Sequence, residues 1–222
     1  MRTVLKVGIA VVLLVMTLSC WAQGARVVEL RAGIASGELW AQLHGAGDSQ
    51  VAGVIGRTGN DPIIAQLDPG TLYQPQSGGL RGQQQGGRQA QLGGGGGGGR
   101  QGQLGLSSLS VDLTTTAVAQ VVIPSACTNY GLPEPTAKDV MTPTVCPDVR
   151  LVQLASLAQA QSAPHAAVQL AVWAITDNPS APRMREYLRE MRAAAAADAL
   201  GGTARELLTA CGLDPRGFRM FR

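Results

Sequence analysis

Five prolines fall between Pro124 and Pro147, and they split the chain into two parts with different apolar spacing. Proline has no backbone N–H and its ring collides with the preceding helical turn, so Ser125–Asp148 is barred from helix and discouraged from a central strand. The segment is predicted to be an ordered crossover. Upstream, apolar residues recur at every second position. In "RVVELRA", Val28, Leu30 and Ala32 alternate with Glu29 and Arg31. In "GELWAQLHG", Leu39, Ala41 and Leu43 alternate with Glu38, Trp40 and Gln42. Period two is the mark of a half-buried strand. "QVAGVIG", "PIIAQL" and "DPGTLYQP" continue the pattern between glycine and proline turns, and "SLSVDLT" and "AVAQVVIP" repeat it later, the last ending at Pro124.

One stretch interrupts these strands. Residues 77–105 consist almost entirely of Gly, Gln, Arg and a few Leu, with seven consecutive glycines from Gly93 to Gly99. Such a composition cannot bury enough surface to offset its ordering entropy, and it is expected to be a disordered insertion between two strands. It lacks the GK[ST] of a phosphate-binding loop. Strands on both sides place it inside one β-domain, residues 23–147.

Beyond Asp148 the spacing becomes helical. "DVRLVQLASLAQAQ" follows Asp148 as an N-cap. "SAPHAAVQLAVWAITDNP" and "SAPRMREYLREMRAAAAADALGG" each open on Ser-Ala-Pro, at Ser162 and Ser180, a serine cap with proline just inside. The first is expected to stop at Asn178-Pro179 and the second at Gly201-Gly202. "TARELLTACGLDP" offers a capping box of Thr203 with Glu206. The predicted architecture is α+β: a small antiparallel β-sandwich-like domain, the Gly/Gln-rich insertion, and a bundle of three or four helices over residues 148–222.

The compartment is written at the N-terminus. Arg2 and Lys6 precede the apolar run Val7–Leu18, and "SCWAQG" supplies small residues for cleavage after Ala22. A membrane span needs roughly 20 apolar residues, more than this run holds. Residues 1–22 are therefore read as a signal peptide. Retention as an anchor and lipidation of Cys20, in the lipobox-like "TLSC", stay open. All three place the folded part outside the cytoplasm, in periplasm, at the surface or secreted. Membrane association is then expected only through the leader or a lipidated Cys20.

Cleavage or lipidation leaves Cys127, Cys146 and Cys211. An oxidising compartment permits a Cys127–Cys146 disulfide. With His44 and His165 the only histidines and no CxxC, no metal site is expected, and no cofactor either. Eighteen Lys and Arg against 15 Asp and Glu give a formal charge of +3, and aromatics make up 4% of residues. Neither supports a nucleic-acid surface. No G-x-S-x-G or HExxH frame is present. The histidines are expected to face solvent, and no enzyme activity is expected.

A polar residue inside the most apolar helix remains. Around Gln169, the residues Val168, Leu170, Ala171, Val172, Trp173 and Ile175 surround the helix axis almost completely, and such a helix is buried. A buried amide without partners costs roughly 1–3 kcal/mol. Gln169 must therefore bond to the backbone of the β-domain or crossover, recognise a partner, or react. "VQLAVWAITD" resembles the glutamine motif of thioester domains on Gram-positive surface adhesins. In that family the glutamine lies on a helix against a β-sandwich, and its side chain joins a cysteine thiol with loss of ammonia. The resemblance implies Gln169 as acyl donor, Cys127 as thiol, and a nucleophile on a target surface as partner. "DPGTLY" at Asp68 and "CTNYGLPEPT" at Cys127, followed by this helix, also resemble exported bacterial proteins for which the likeness implies no activity. The sequence alone leads to an exported, non-catalytic binding or envelope-structural protein with an unidentified protein or surface partner. A covalent adhesin-like domain using Cys127 and Gln169 is the alternative.

Overall fold

The computed structural model describes residues 24–76 and 99–222. The expected leader, Cys20 and most of the Gly/Gln-rich stretch lie outside the described residues.

Among the described residues nine strands precede the C-terminal helices: β1 (Arg26–Glu29), β2 (Leu39–Gly45), β3 (Gln50–Arg57), β4 (Ile63–Leu67), β5 (Leu72–Pro75), β6 (Gln103–Gly105), β7 (Leu109–Leu113), β8 (Val118–Cys127) and β9 (Val140–Thr144). The α+β class holds, but the sandwich does not. Six strands close into a barrel in the order β2-β3-β8-β6-β5-β9, and β1-β4-β7 form a separate sheet. That small sheet is mixed, because β1 runs parallel to β4 and β7 antiparallel to it. Closure follows from two bridging strands. β8 is long enough to pair with β3 over Val118–Pro124 and with β6 over Ser125–Cys127. β9 pairs with both β2 and β5. A closed barrel leaves no open edge for other chains to pair with.

Three local expectations are corrected. The predicted first strand ends at Glu29, and Leu30–Ser36 form helix α1. The Glu29 carboxylate accepts the Ala32 N–H at 2.8 Å, and Gly37 stops the helix at φ 77°. Leu30 and Gly33 face inward at helical spacing, a pattern that five residues of apparent alternation concealed. The end of the stretch expected to be disordered, residues 77–105, is ordered instead, for Gln101–Leu106 are buried and include β6. The crossover in turn contains β9 despite Pro143. The Val140 carbonyl accepts from Gln76 beyond β5, so alternation turns the nitrogen of Pro143 toward β2. Pairing with β2 ends at Met141, and the missing donor therefore has no ladder partner to lose.

The "DPGT" turn forms as expected. Thr71 donates from its N–H and hydroxyl to the Asp68 carbonyl, and Gly70 sits at φ 84°. A Cβ there would lie 2.8 Å from Val152 Cα, so glycine also lets the helical layer approach the barrel.

That layer comprises α2 (Val149–Ala160), α3 (His165–Thr176), α4 (Ala181–Glu190) and α5 (Ala197–Ala210). Asp148 caps α2 through the Arg150 N–H at 3.0 Å. Asn178, at φ 48°, breaks the chain after α3, where Asn-Pro predicted an end. Two starts differ from expectation. Ser162 is not a cap but a left-handed residue at φ 50°, and α3 begins after Pro164. The predicted Thr203 box lies inside α5, its hydroxyl bonding back to the Ala199 carbonyl at 3.2 Å. The long Ala-rich helix instead breaks at Arg192, φ 54°, and the alanines beyond it start α5, which runs through Gly201-Gly202.

Two apolar cores result. One fills the barrel and the small sheet, with Leu43, Val51, Ile55, Leu67, Tyr73 and Ile123. The other lies between barrel and helices, joining Leu72, Leu104 and Cys127 to Leu154, Val172, Trp173 and Leu207.

Candidate functional site

The C-terminal end of β8 outruns its partner β3. Pairing with β3 stops at Pro124, and Ser125 makes one more bond, from its N–H to the Ser49 carbonyl at 2.9 Å. Past that point the odd-numbered backbone groups of β8 have lost their strand. Helix α3 takes its place with side chains. His165 Nε2 lies 2.9 Å from the Ser125 carbonyl oxygen. Gln169 Oε1 accepts from the Cys127 N–H at 2.9 Å, and Gln169 Nε2 donates to the Cys127 carbonyl at 2.7 Å. Asp177 Oδ2 accepts the Tyr130 N–H at 2.9 Å. His165 and Gln169 share one helix face, because a step of four returns to nearly the same direction, and Asp177 follows α3 as its C-cap. A side-chain amide carries the same donor and acceptor as a peptide, so Gln169 completes the ladder as a missing strand would.

Gln169 is fully buried, and both of its amide atoms are bonded. The two residues named by the thioester resemblance are thus in direct contact across 42 positions of chain. Cys127 is also fully buried, with a free thiol. Its Sγ donates to the Asp48 carbonyl at 3.5 Å. Burial pushes this thiol far above its ordinary pKa, and the Glu134 and Asp48 charges add to the rise. Cys146 is likewise buried and free, its Sγ turned to the Asp148 carbonyl at 3.6 Å. Cys211, also buried and free, packs among the helices.

An aromatic wall stands beside this contact. Trp173, one turn beyond Gln169, meets Tyr130 edge-on at 5.0 Å and Tyr187 at 4.6 Å. Trp173 Nε1 and the Tyr187 hydroxyl are buried donors with no partner among the described residues. The Tyr187 hydroxyl is pushed well above its usual range by burial, then by Asp48, Cys127 and Glu134. Glu134 is itself raised by burial and by Asp48.

Sequence reasoning located the thiol and the amide but not Asp48, Glu134 or Tyr187 as their neighbours. Asp48 lies in a Gly-rich turn and Glu134 between two prolines, and neither carries a spacing signal. The histidines differ from expectation: His165 is half-buried on β8, and His44 is half-buried with Nδ1 unpartnered among the described residues. Among the described residues no group of three His, Cys, Asp or Glu has metal-site geometry, and no helix is long and apolar enough to cross a membrane. No family model, curated protein or solved structure matches the chain.

Proposed function

We propose that this chain is an exported binding protein that attaches covalently to its target through an internal Cys127–Gln169 thioester. One observation carries the reading: the Gln169 amide lies on the backbone of Cys127, the residue that bears the thiol. Three cysteines follow the expected leader, and the helix meets the one implied by its motif.

The chemistry balances without a cofactor. Cys127 Sγ attacks Gln169 Cδ, the C–N bond breaks, and the thiol proton leaves with the amide nitrogen as ammonia. The Cys127 N–H, already donating to Oε1, stabilises the negative charge that develops on that oxygen. A primary amine on the target then attacks Cδ, forms an amide to Gln169 and returns Cys127 as a thiol. Each molecule forms one bond, so this is binding and not turnover.

The geometry also favours a second reading, because both Gln169 atoms are satisfied and the thiol is held protonated by burial. In that reading Gln169 only pins α3 to β8, and the protein binds or supports the envelope non-covalently. The intact mass of the exported protein separates the two. A thioester lowers the mass by one ammonia, and methylamine then adds. A Cys127–Cys146 disulfide lowers it by two hydrogens instead. An undiminished mass with three titratable thiols after unfolding ends the covalent reading. The same spectrum reports leader cleavage and any lipid on Cys20.

A further inference from the structure

The groups packed around the Cys127 thiol flank the approach of a nucleophile to Gln169 Cδ. Asp48 is one of them, in contact with the sulfur through its carbonyl. Glu134 lies nearby, because the turn carrying Asp48 is tied to the proline-rich loop by the Gly47 N–H donating to the Pro135 carbonyl at 3.2 Å. Glu134 also lines a cleft of about 550 Å³ together with His44, Gly47, Pro135 and Thr136. One neighbouring cation is committed elsewhere: Arg100 bridges to Asp139 at 3.4 Å and donates to the Glu134 backbone carbonyl, not to its carboxylate. Two carboxylates thus stand beside the thiol, and none of the ion pairs among the described residues includes either. An independent observation points to an occupant. The Tyr187 hydroxyl, on a side chain only 9% exposed and packed against Trp173 one turn beyond Gln169, has no partner among the described residues, and the Asp48, Cys127 and Glu134 charges add to the rise that burial gives it. A buried hydroxyl left unpaired has a hydrogen bond to give.

We propose that Asp48 and Glu134 are the specificity-determining residues of the Cys127–Gln169 site, forming an acidic mouth that admits a cationic amine ahead of one carrying a negative charge. This rests on the thioester reading above. An ammonium group is drawn toward the two carboxylates and gives a proton to the Glu134 carboxylate. The neutral nitrogen then attacks Gln169 Cδ and the Cδ–Sγ bond breaks with its electron pair on sulfur. The Tyr187 hydroxyl donates a hydrogen bond to that sulfur, and the second proton shed by nitrogen restores the Cys127 thiol. A lysine side chain on an otherwise uncharged or acidic surface fits this mouth, and an amine flanked by a sulfonate or carboxylate does not.

The test uses the full exported chain and follows adduct mass against time. Methylamine and taurine serve as probes, the second carrying a sulfonate beside its amine. At low salt the methylamine preference of the native chain is expected to exceed that of the Asp48→Asn/Glu134→Gln pair by about tenfold, the effect of one nearby charge pair in a partly wet site. Added salt narrows the native preference toward that of the variant. Glu134→Gln alone, at an exposed position, should show part of the effect. If variants that have lost ammonia keep the native ratio of methylamine to taurine rates, the acidic mouth is wrong and the thioester stands. If the native chain has not lost ammonia, the thioester reading fails first and takes this inference with it.

Discussion

The two halves of β8 are sealed by different means. From Val118 to Pro124 its neighbour is β3, residue against residue, over an apolar interior that includes Val121 and Ile123. From Ser125 to Cys127 the same edge is sealed by His165 and Gln169 of α3. The first half is ordinary strand pairing, supported by many interchangeable contacts. The second depends on single side chains, each holding specific backbone atoms. Reactive or recognition groups belong in the second kind of region, because a side chain can be repositioned or replaced where a ladder cannot. The fully buried Gln169 amide and Cys127 thiol lie there, whereas Gln103 of β6, another fully buried amide, bonds to the Gly47 carbonyl and the Ser125 hydroxyl.

The contrast breaks most visibly by truncation on each side. Leu43→Ala removes a fully buried barrel side chain, and a loss of about 2–5 kcal/mol in denaturant unfolding is expected. Gln169→Leu keeps the volume but leaves the Cys127 N–H and carbonyl unpaired; about 1–3 kcal/mol per orphaned group is expected. Cys127→Ala is the sharpening control. It keeps both backbone partners of Gln169, so on the pin reading its cost stays well below that of Gln169→Leu. On the thioester reading both substitutions abolish the ammonia loss, and Cys127→Ala also removes a covalent link between β8 and α3. Equal stability losses from the two variants, with no mass change in the parent, would contradict both readings of the seam.

What the sequence made legible follows the same division. Alternation located β2, β7 and most of β8, because one face of each is buried and the other wet. The change of period after Asp148, the cap at Asp148 and the stop at Asn178 were equally plain. Barrel closure was not, since it depends on which strands bridge, and β6 is three residues hidden at the end of a glycine-rich stretch. Nor was β9, whose Pro143 is tolerated only because β2 stops short. At the site, the helix motif singled out Gln169 and, through its resemblance, Cys127. Their carboxylate neighbours come from two loops without periodicity, so only the tertiary fold assembles them.

Alkaline pH probes the apolar regions and the seam together. Cys127, Cys146, Cys211, Tyr73 and Tyr187 are all raised, each first by burial. A raised group favours its protonated form in the fold. The stability it contributes is complete below the unfolded-state pKa and is lost as pH rises toward the folded one. Unfolded thiols ionise near pH 8.5 and phenols near pH 10, so stability is expected to fall from about pH 8.5 upward in two overlapping stages. Equilibrium denaturation between about pH 7 and pH 11 reads both. A thioester takes Cys127 out of the first stage until unfolding hydrolyses it, so Cys127→Ala should flatten that stage only in a chain without the crosslink.

The smallest expected effect lies at the joint between the two halves of the chain. Asp148 caps α2 and pairs with Arg150 at 2.6 Å. Hydrogen bonding from the Arg150 side chain, with help from the backbone, holds its carboxyl below the ordinary range despite some burial. Asp148→Ala should cost about 1 kcal/mol, the usual worth of a lost N-cap. Because the depressed group stabilises the fold only when ionised, the difference from the parent should shrink as pH falls below about 4. The cap fixes where α2 starts and touches neither Cys127 nor Gln169. Amine incorporation by Asp148→Ala should therefore match the parent, although its unfolding midpoint is lower. A parallel loss of both would mean that the seam depends on the whole helical layer and not on α3 alone.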